Sequence, residues 1–201
     1  APRQAPMVRS LALGLLSEKD AVKVAADLNQ NAIDRNYTVG TGFLSTPFVL
    51  GVLVKYGYVD TAYRMLENTK APGWLAMVEQ GATTVWEVYH IFDKYGHPKA
   101  SSMNHYSPGA VCGFLFDTVC GIRVAGENHF RIAPVPGGTL TFAEASYDSP
   151  CGKVESSWHI LHDRTKYVIT IPANCTAEVI LPGGERKTLS AGHYEMEESN
   201  V

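Results

Sequence analysis

Apolar positions recur with helical spacing up to about residue 126 and with a spacing of two beyond it. Ala21, Val24, Ala25, Leu28 and Ala32 stand at i, i+3, i+4, i+7 and i+11 and predict an amphipathic helix over 18–34. Val59, Ala62, Tyr63 and Leu66 predict another over 59–68, with Asp60 placed to cap it. FVLGVLV (48–54) and AVCGFLFDTV (110–119) are apolar on nearly every side, the pattern of helices buried on every side. Helices are expected near 7–16, 18–34, 45–56, 59–68, 83–93 and 104–121, joined mostly by short loops that make antiparallel hairpins. Amphipathic and more apolar helices take turns. That alternation fits an inner ring shielded by an outer one, as in an α/α toroid, and fits a plain helical bundle nearly as well.

Beyond residue 126 the sequence predicts strands. Leu140 and Phe142 alternate with Thr. Val154, Ser156, Trp158 and Ile160 share one face, as do Tyr167, Ile169 and Ile171, and then Ala177, Val179 and Leu181. Turns are marked by PGG (136–138), DSPCG (148–152), HDRTK (162–166) and PGG (182–184), and the pattern suggests an antiparallel β-sandwich. The expected organisation is a helical part over 1–126, a short linker near Ala125–Asn128, and a sheet domain over 127–201.

Composition narrows the function. The chain has 201 residues, 45% hydrophobic and 18% charged, with a net charge of −3. It can bury a core, and without a Lys/Arg run nucleic acid is not an expected partner. No apolar run reaches the length of a membrane span, and no signal peptide is visible. The start, APRQAPM, lacks an initiator Met and reads as a processed or excised chain, so the compartment (periplasmic, extracellular or cytoplasmic) stays open. Cys112, Cys120, Cys151 and Cys175 form no CxxC pair. Cys112 and Cys120 fall in an apolar helical stretch and read as small buried hydrophobes. A Cys151–Cys175 bridge between two strands could form, but spacing alone does not decide it. No metal site, organic cofactor or calcium loop is expected.

Three stretches could carry chemistry. In GATTVWEVYH (81–90), Thr83 or Thr84 can cap a helix, and with Thr84 as cap Glu87 takes the capping-box position. On local grounds that is the stronger reading. The other places Glu87 as a carboxylate at a helix mouth beside Trp86, where a sugar ring could stack. In SSMNHYSPGAV (101–111), Asn104 and His105 stand before the most apolar helix, either as caps or as one edge of a cleft with Glu87, Trp86 and Tyr89. In TVGTGFLSTPFVL (38–50), Thr46 reads as a cap with Pro47 at the first helical position, and the Gly-Thr-Gly loop could line a pocket. No GxxxxGK[ST] phosphate loop is present. Trp74, after Pro-Gly, reads more readily as packing than as binding. Glu79, Asp93 and Glu67 are further carboxylates.

TGFLSTP (41–47), MVEQGATTVWE (77–87), SSMNHYSPGAV (101–111) and LPGG (181–184), in that order, resemble bacterial α-L-rhamnosidases of glycoside hydrolase family 78. The resemblance runs from about residue 3 to residue 194. It implies an (α/α)6 barrel, a C-terminal β-sandwich, and inverting hydrolysis of terminal α-L-rhamnose from glycosides, oligosaccharides or polysaccharides. It gives Glu87 the role of general base and His105 a contact with the sugar, with Asn104, Tyr89, Trp86 and Trp74 supporting or bordering the pocket. Tyr89 stands where that family commonly has Trp, and the segment from Glu87 to His105 is shorter than usual. No segment resembles the family's general-acid motif, and about six helices are half of what a closed barrel needs. The expectation is the C-terminal half of a rhamnosidase, with an exposed apolar edge suited to the missing half or to self-association. The alternative is a non-catalytic carbohydrate-binding or scaffold protein built on the same fold; a purely structural helical domain would leave the four motifs unexplained.

Overall fold

The structure is a computed structural model and describes residues 3–199. The chain divides into two compact units, 1–111 and 112–201.

In the first unit, helices α1 (Gln4–Ala12), α2 (Glu18–Asp34), α3 (Val49–Lys55) and α4 (Val59–Leu66) pack through Val8, Leu11, Ala25, Leu28, Ala32, Val49, Leu53, Ala62, Tyr63 and Met65. The α2 boundaries agree with the apolar spacing. Its start is set by Ser17, whose Oγ accepts the Asp20 N–H at 3.2 Å and donates to the Asp20 carboxylate at 2.7 Å. Helix α1 lies earlier than expected and ends earlier. Gly14 takes φ +63°, and the Leu15 N–H turns back to the Ser10 carbonyl at 3.0 Å, a left-handed stop that precludes a helix to residue 16.

Two expected caps are corrected. Asp60 does not cap α4; it lies in the first turn and pairs with Arg64 at 3.0 Å, one helical turn on. Pro47 does sit in the first turn of a short 3-10 segment, Thr46–Phe48, that leads into α3. Thr46 makes no cap, because its hydroxyl is engaged by Thr41 Oγ1 at 2.8 Å and by the Gly42 carbonyl at 3.1 Å. These bonds and the buried Gln4 shape the Gly-Thr-Gly loop. Gln4 donates to the Thr38 carbonyl at 3.1 Å and accepts the Gly40 N–H at 2.6 Å. A Cβ on Gly40 would stand 3.0 Å from the Gln4 amide carbon, a contact tight enough to push the Gln4 side chain aside.

The largest departure is at 83–93, where no helix forms. An unexpected helix, α5 (Trp74–Glu79), precedes it, so Trp74 begins a helix instead of lying in a loop. The expected helix over 104–121 is broken into α6 (Tyr106–Gly109), α7 (Val111–Phe114) and a π-turn over Leu115–Val119. Gly109, Gly113 and Pro108 are poor material for one long helix. The stretch is not buried all round: Leu115 and Phe116 are 38% and 45% exposed, and Cys112 is exposed while Cys120 is buried.

The second unit is a sheet. Its strands are β1 (Ile122–Gly126), β2 (His129–Ile132), β3 (Phe142–Ser149), β4 (Gly152–Ile160), β5 (Arg164–Ile180) and β6 (Arg186–Ser199). They form one six-stranded sheet in the order β1-β2-β5-β4-β3, with β6 also on β5, curled towards a barrel instead of the expected two-layered sandwich. The cause is the length of β5. Its first half pairs with β4, its second half pairs in parallel with β2, and β6 runs along both halves, so what would be two sheets is joined. The period-two faces are as expected: Val154, Ser156 and Trp158, then Tyr167, Ile169 and Ile171, then Ala177, Val179 and Leu181 are buried. Phe142 and Ile160, at strand ends, are exposed. Trp158 donates to the Val119 carbonyl at 2.8 Å and Ser156 to the Cys120 carbonyl at 2.7 Å, which ties the π-turn to the sheet. Residues 125–128, expected as a linker, turn the β1–β2 hairpin.

Candidate active site

Residues 83–106 fold as an irregular ribbon that doubles back on itself. The His105 N–H donates to the Val85 carbonyl, the Glu87 N–H to the Ser102 carbonyl and the Lys99 N–H to the Ile91 carbonyl, at 2.9, 2.9 and 2.8 Å. A bridge between Phe92 and Pro98 leads to the turn. Asp93 organises that turn by accepting the N–H groups of Tyr95 and His97 at 2.8 and 2.9 Å, and Gly96 supplies φ +82°. The chemistry of the segment explains why a ribbon wins over a helix. Thr83, Thr84, Val85, Trp86, Val88, Tyr89, Ile91 and Phe92 are β-branched or aromatic, types that favour extended backbone.

Thr84 is therefore not a helix cap. Its hydroxyl donates across the ribbon to the Met103 carbonyl. Glu87 is not a capping-box residue either. It is half-buried, and its Oε2 accepts the backbone N–H of Ser102 at 2.9 Å while its own N–H returns to the Ser102 carbonyl. This reciprocal pair fixes the carboxylate at the start of its side chain and at its end. Oε1 takes part in none of the described hydrogen bonds. Ser102 had no role assigned from the sequence; it lies inside a singled-out motif, but its contribution is made by backbone and carries no side-chain signature.

His105 does cap a helix: its Nδ1 accepts the Ser107 N–H at 3.2 Å at the start of α6. With Nδ1 as acceptor, the neutral ring carries its proton on Nε2, which is then a donor. The ring stacks on Tyr106, with centroids 4.8 Å apart, and meets Phe43 at a tilt of 31° and 4.4 Å. Phe43 is held in place where its carbonyl accepts from Ser107 Oγ at 2.7 Å. Tyr106 is 75% exposed and Phe43 45% exposed, so the solvent-facing aromatic group at this end of the ribbon is Phe43–His105–Tyr106. Asn104 is exposed beside it, its backbone engaged with Ser102 Oγ.

The two tryptophans face inward. Trp86 is 5% exposed, packs edge-on to Phe92 at 5.7 Å and clusters with Met77 and Ile91. Trp74 is 6% exposed, donates to the Pro108 carbonyl at 2.9 Å and meets Tyr89 edge-on at 6.1 Å. Both are placed to support the ribbon from within, and a sugar ring could not stack on either without repacking. Tyr89 lies between. Burial pushes its phenol pKa up, and its hydroxyl sits beside Thr46 but outside hydrogen-bond geometry. Of the other carboxylates, Asp93 is committed to the turn, Glu79 is exposed at the end of α5, and Glu67 is half-buried just beyond α4. Among the described residues no group of three or more His, Cys, Asp or Glu could hold a metal ion, and no helix is long and apolar enough to cross a membrane.

Sequence and structure comparisons agree with one another. The family model described as the bacterial alpha-L-rhamnosidase 6 hairpin glycosidase domain matches residues 2–119, and that of the bacterial alpha-L-rhamnosidase C-terminal domain matches residues 123–195. An α-L-rhamnosidase of Formosa agariphila is 34% identical over 191 residues, covering 92% of this chain and 21% of the relative. One from Streptomyces avermitilis is 34% identical over 186 residues, covering 89% and 18%. Among solved structures, native α-L-rhamnosidase from Aspergillus terreus superposes with a TM-score of 0.92 at 31% identity, over 97% of this chain and 24% of that one. The Streptomyces avermitilis enzyme complexed with L-rhamnose gives 0.91 at 27% identity, over 97% and 21%. The chain thus spans about a fifth of the length of the curated relatives it matches.

Proposed function

The chain belongs to the bacterial α-L-rhamnosidase family, and from that premise we propose that it is part of an inverting α-L-rhamnosidase in which Glu87 is the general base. The observation that carries the role is the fixed carboxylate: Oε2 held by the Ser102 N–H, with Oε1 left for a water, on the same ribbon as His105. Glu87 takes a proton from that water as the oxygen attacks the anomeric carbon. A second carboxylic acid on the opposite face, about 6.5–9.5 Å from the first, protonates the leaving oxygen. Glu79, Asp93 and Glu67 match no acid motif of the family, so the acid role is assigned to polypeptide outside this sequence. The remaining hairpins of an (α/α)6 toroid come from there too and cover apolar side chains such as Leu44 and Leu13, 70% and 62% exposed.

His105 donates from Nε2 to a rhamnose hydroxyl, Asn104 adds a polar contact, and Tyr106 with Phe43 offers the aromatic surface. Trp86, Trp74 and Tyr89 hold the ribbon's shape behind them. The test is hydrolysis of p-nitrophenyl α-L-rhamnoside by this chain alone and by a longer polypeptide that completes six hairpins, with the product followed by proton NMR. Turnover by the longer form alone, releasing β-L-rhamnose first, is expected. Release of the α-anomer first would exclude inversion. Turnover by the short chain would place an acid within it, and silence from both forms would favour a non-catalytic sugar-binding protein.

A further inference from the structure

We propose that Cys151 and Cys175 form a disulfide when the protein meets a disulfide oxidant, stapling the β3–β4 hairpin to the bulge in β5. The two cysteines are distant in sequence and each lies where the ladder is interrupted. Cys151 occupies the β3–β4 turn, which Ser149 closes by accepting the Cys151 N–H at 3.2 Å and donating to the Gly152 carbonyl at 2.6 Å. Cys175 ends the bulge of β5, where pairing with β6 stops at Ile171↔Gly192 and resumes at Thr176↔Ser190. The curl of the sheet brings the turn onto the bulge. Gly152 is so close to Pro172 that a Cβ on it would lie 3.0 Å from the proline Cβ.

At this junction the Cys151 and Cys175 side chains are neighbours that act on each other electrostatically. Asn128 holds both sides: its Oδ1 accepts from Cys151 Sγ at 2.8 Å, and its carbonyl accepts the N–H of Thr176, the neighbour of Cys175, at 3.0 Å. Side chains gathered at one junction through Asn128 are placed to close a disulfide once rotation brings the two sulfurs to about 2.0 Å.

The thiols also differ in a way that orders the chemistry. Cys175 is 2% exposed, and burial, followed by the neighbouring Cys151, raises its pKa. Cys151 is the more accessible. Its thiolate attacks one sulfur of a small-molecule disulfide, forming a mixed disulfide and releasing one thiolate. The Cys175 thiolate then displaces the second, so two protein thiols are oxidised, one external disulfide is reduced to two thiols, and the two cysteine protons pass by way of solvent to the two released thiolates. A reducing cytosol would keep the pair open, and an oxidising compartment would close it.

The experiment equilibrates the full chain with oxidised glutathione, then combines thiol counting in denaturant, peptide mapping and thermal melts with and without a reductant. Free thiols should fall from four to about two, with Cys151 and Cys175 in one cross-linked peptide. The oxidised form should melt roughly 5–15 °C above the reduced form. Cys175→Ser is buried and could simply misfold, so the deciding variant is Cys151→Ser in the turn. It should keep the reduced form's melting temperature and lose the oxidative shift, while Cys112→Ser keeps that shift. A cross-link through Cys112 or Cys120, a thiol count unchanged by oxidant, or an oxidised form melting no higher than the reduced one would overturn the proposal.

Discussion

Replacing Glu87 by Gln separates the two things this side chain does. The amide oxygen can still accept the Ser102 N–H, now at 2.9 Å from Oε2, and the backbone bond from residue 87 to the Ser102 carbonyl is untouched. What is lost is charge on a half-buried acceptor, so the anchoring bond weakens from a charge-assisted to a neutral one, costing about 1 kcal/mol of stability. The amide cannot take a proton from water. If Glu87 is the base of the complete enzyme, turnover falls by roughly 10²–10⁴, equivalent to about 3–5.5 kcal/mol of lost transition-state stabilisation. The assay pairs initial rates on p-nitrophenyl α-L-rhamnoside with urea unfolding of the same preparation. KM should change little, since the hydroxyl contacts proposed for His105 and Asn104 remain. Added azide, already anionic and in no need of a base, should restore part of the rate and give the β-configured glycosyl azide. Turnover within about tenfold of the parent enzyme, or a stability loss beyond about 3 kcal/mol, would refute the reasoning, the first by removing Glu87 from the chemistry and the second by making it structural.

Further outcomes follow from buried groups. Tyr89→Phe removes a buried hydroxyl that has no hydrogen-bond partner among the described residues, so unfolding free energy should change by less than about 1 kcal/mol; a larger loss by urea titration would mean that the hydroxyl is tied into the fold. At alkaline pH, burial and then the nearby Glu144 raise the Cys120 thiol from 9.0 to about 11. Between those values the unfolded chain has released the proton and the folded chain still holds it, so stability falls as pH rises through 9.0 towards about 11. Melting curves of Cys120→Ala across that range should fall less steeply than those of the parent chain, and parallel curves would show that Cys120 does not titrate as assigned.

Helix α2 was legible from its apolar stripe, Ala21 to Ala32, and the structure adds a cap at Ser17 and acids in the first turn. The faces of β4 and β5 were legible because period two leaves no other way to bury Trp158, Ile169 and Val179 together. The ribbon at 83–106 was not, because Thr84 and Glu87 copy a capping box while the residues that follow carry strand chemistry, and a local cap is a weaker constraint than a run of β-branched and aromatic side chains. Reading that run, with Asp93 and Gly96 as a turn, would have predicted a doubled-back chain. It would also have brought Glu87 close to the 101–105 loop, without the helix hairpin that the sequence spacing suggested. The anchor itself stays invisible to any such reading, since Ser102 acts through its N–H and carbonyl. Nor could the sequence tell sheltered from presented aromatics. Trp86 and Trp74 are drawn inward by Met77, Ile91 and the Pro108 carbonyl, while Tyr106, unremarked beside His105, is left at the surface. Placing the sugar against Phe43–His105–Tyr106 therefore changes the mutational expectation: Tyr106→Ala should raise KM on rhamnosides with little loss of fold stability. Trp86→Ala should lower stability by about 3–5 kcal/mol, the cost of emptying a buried aromatic site, and would lose activity only through that loss.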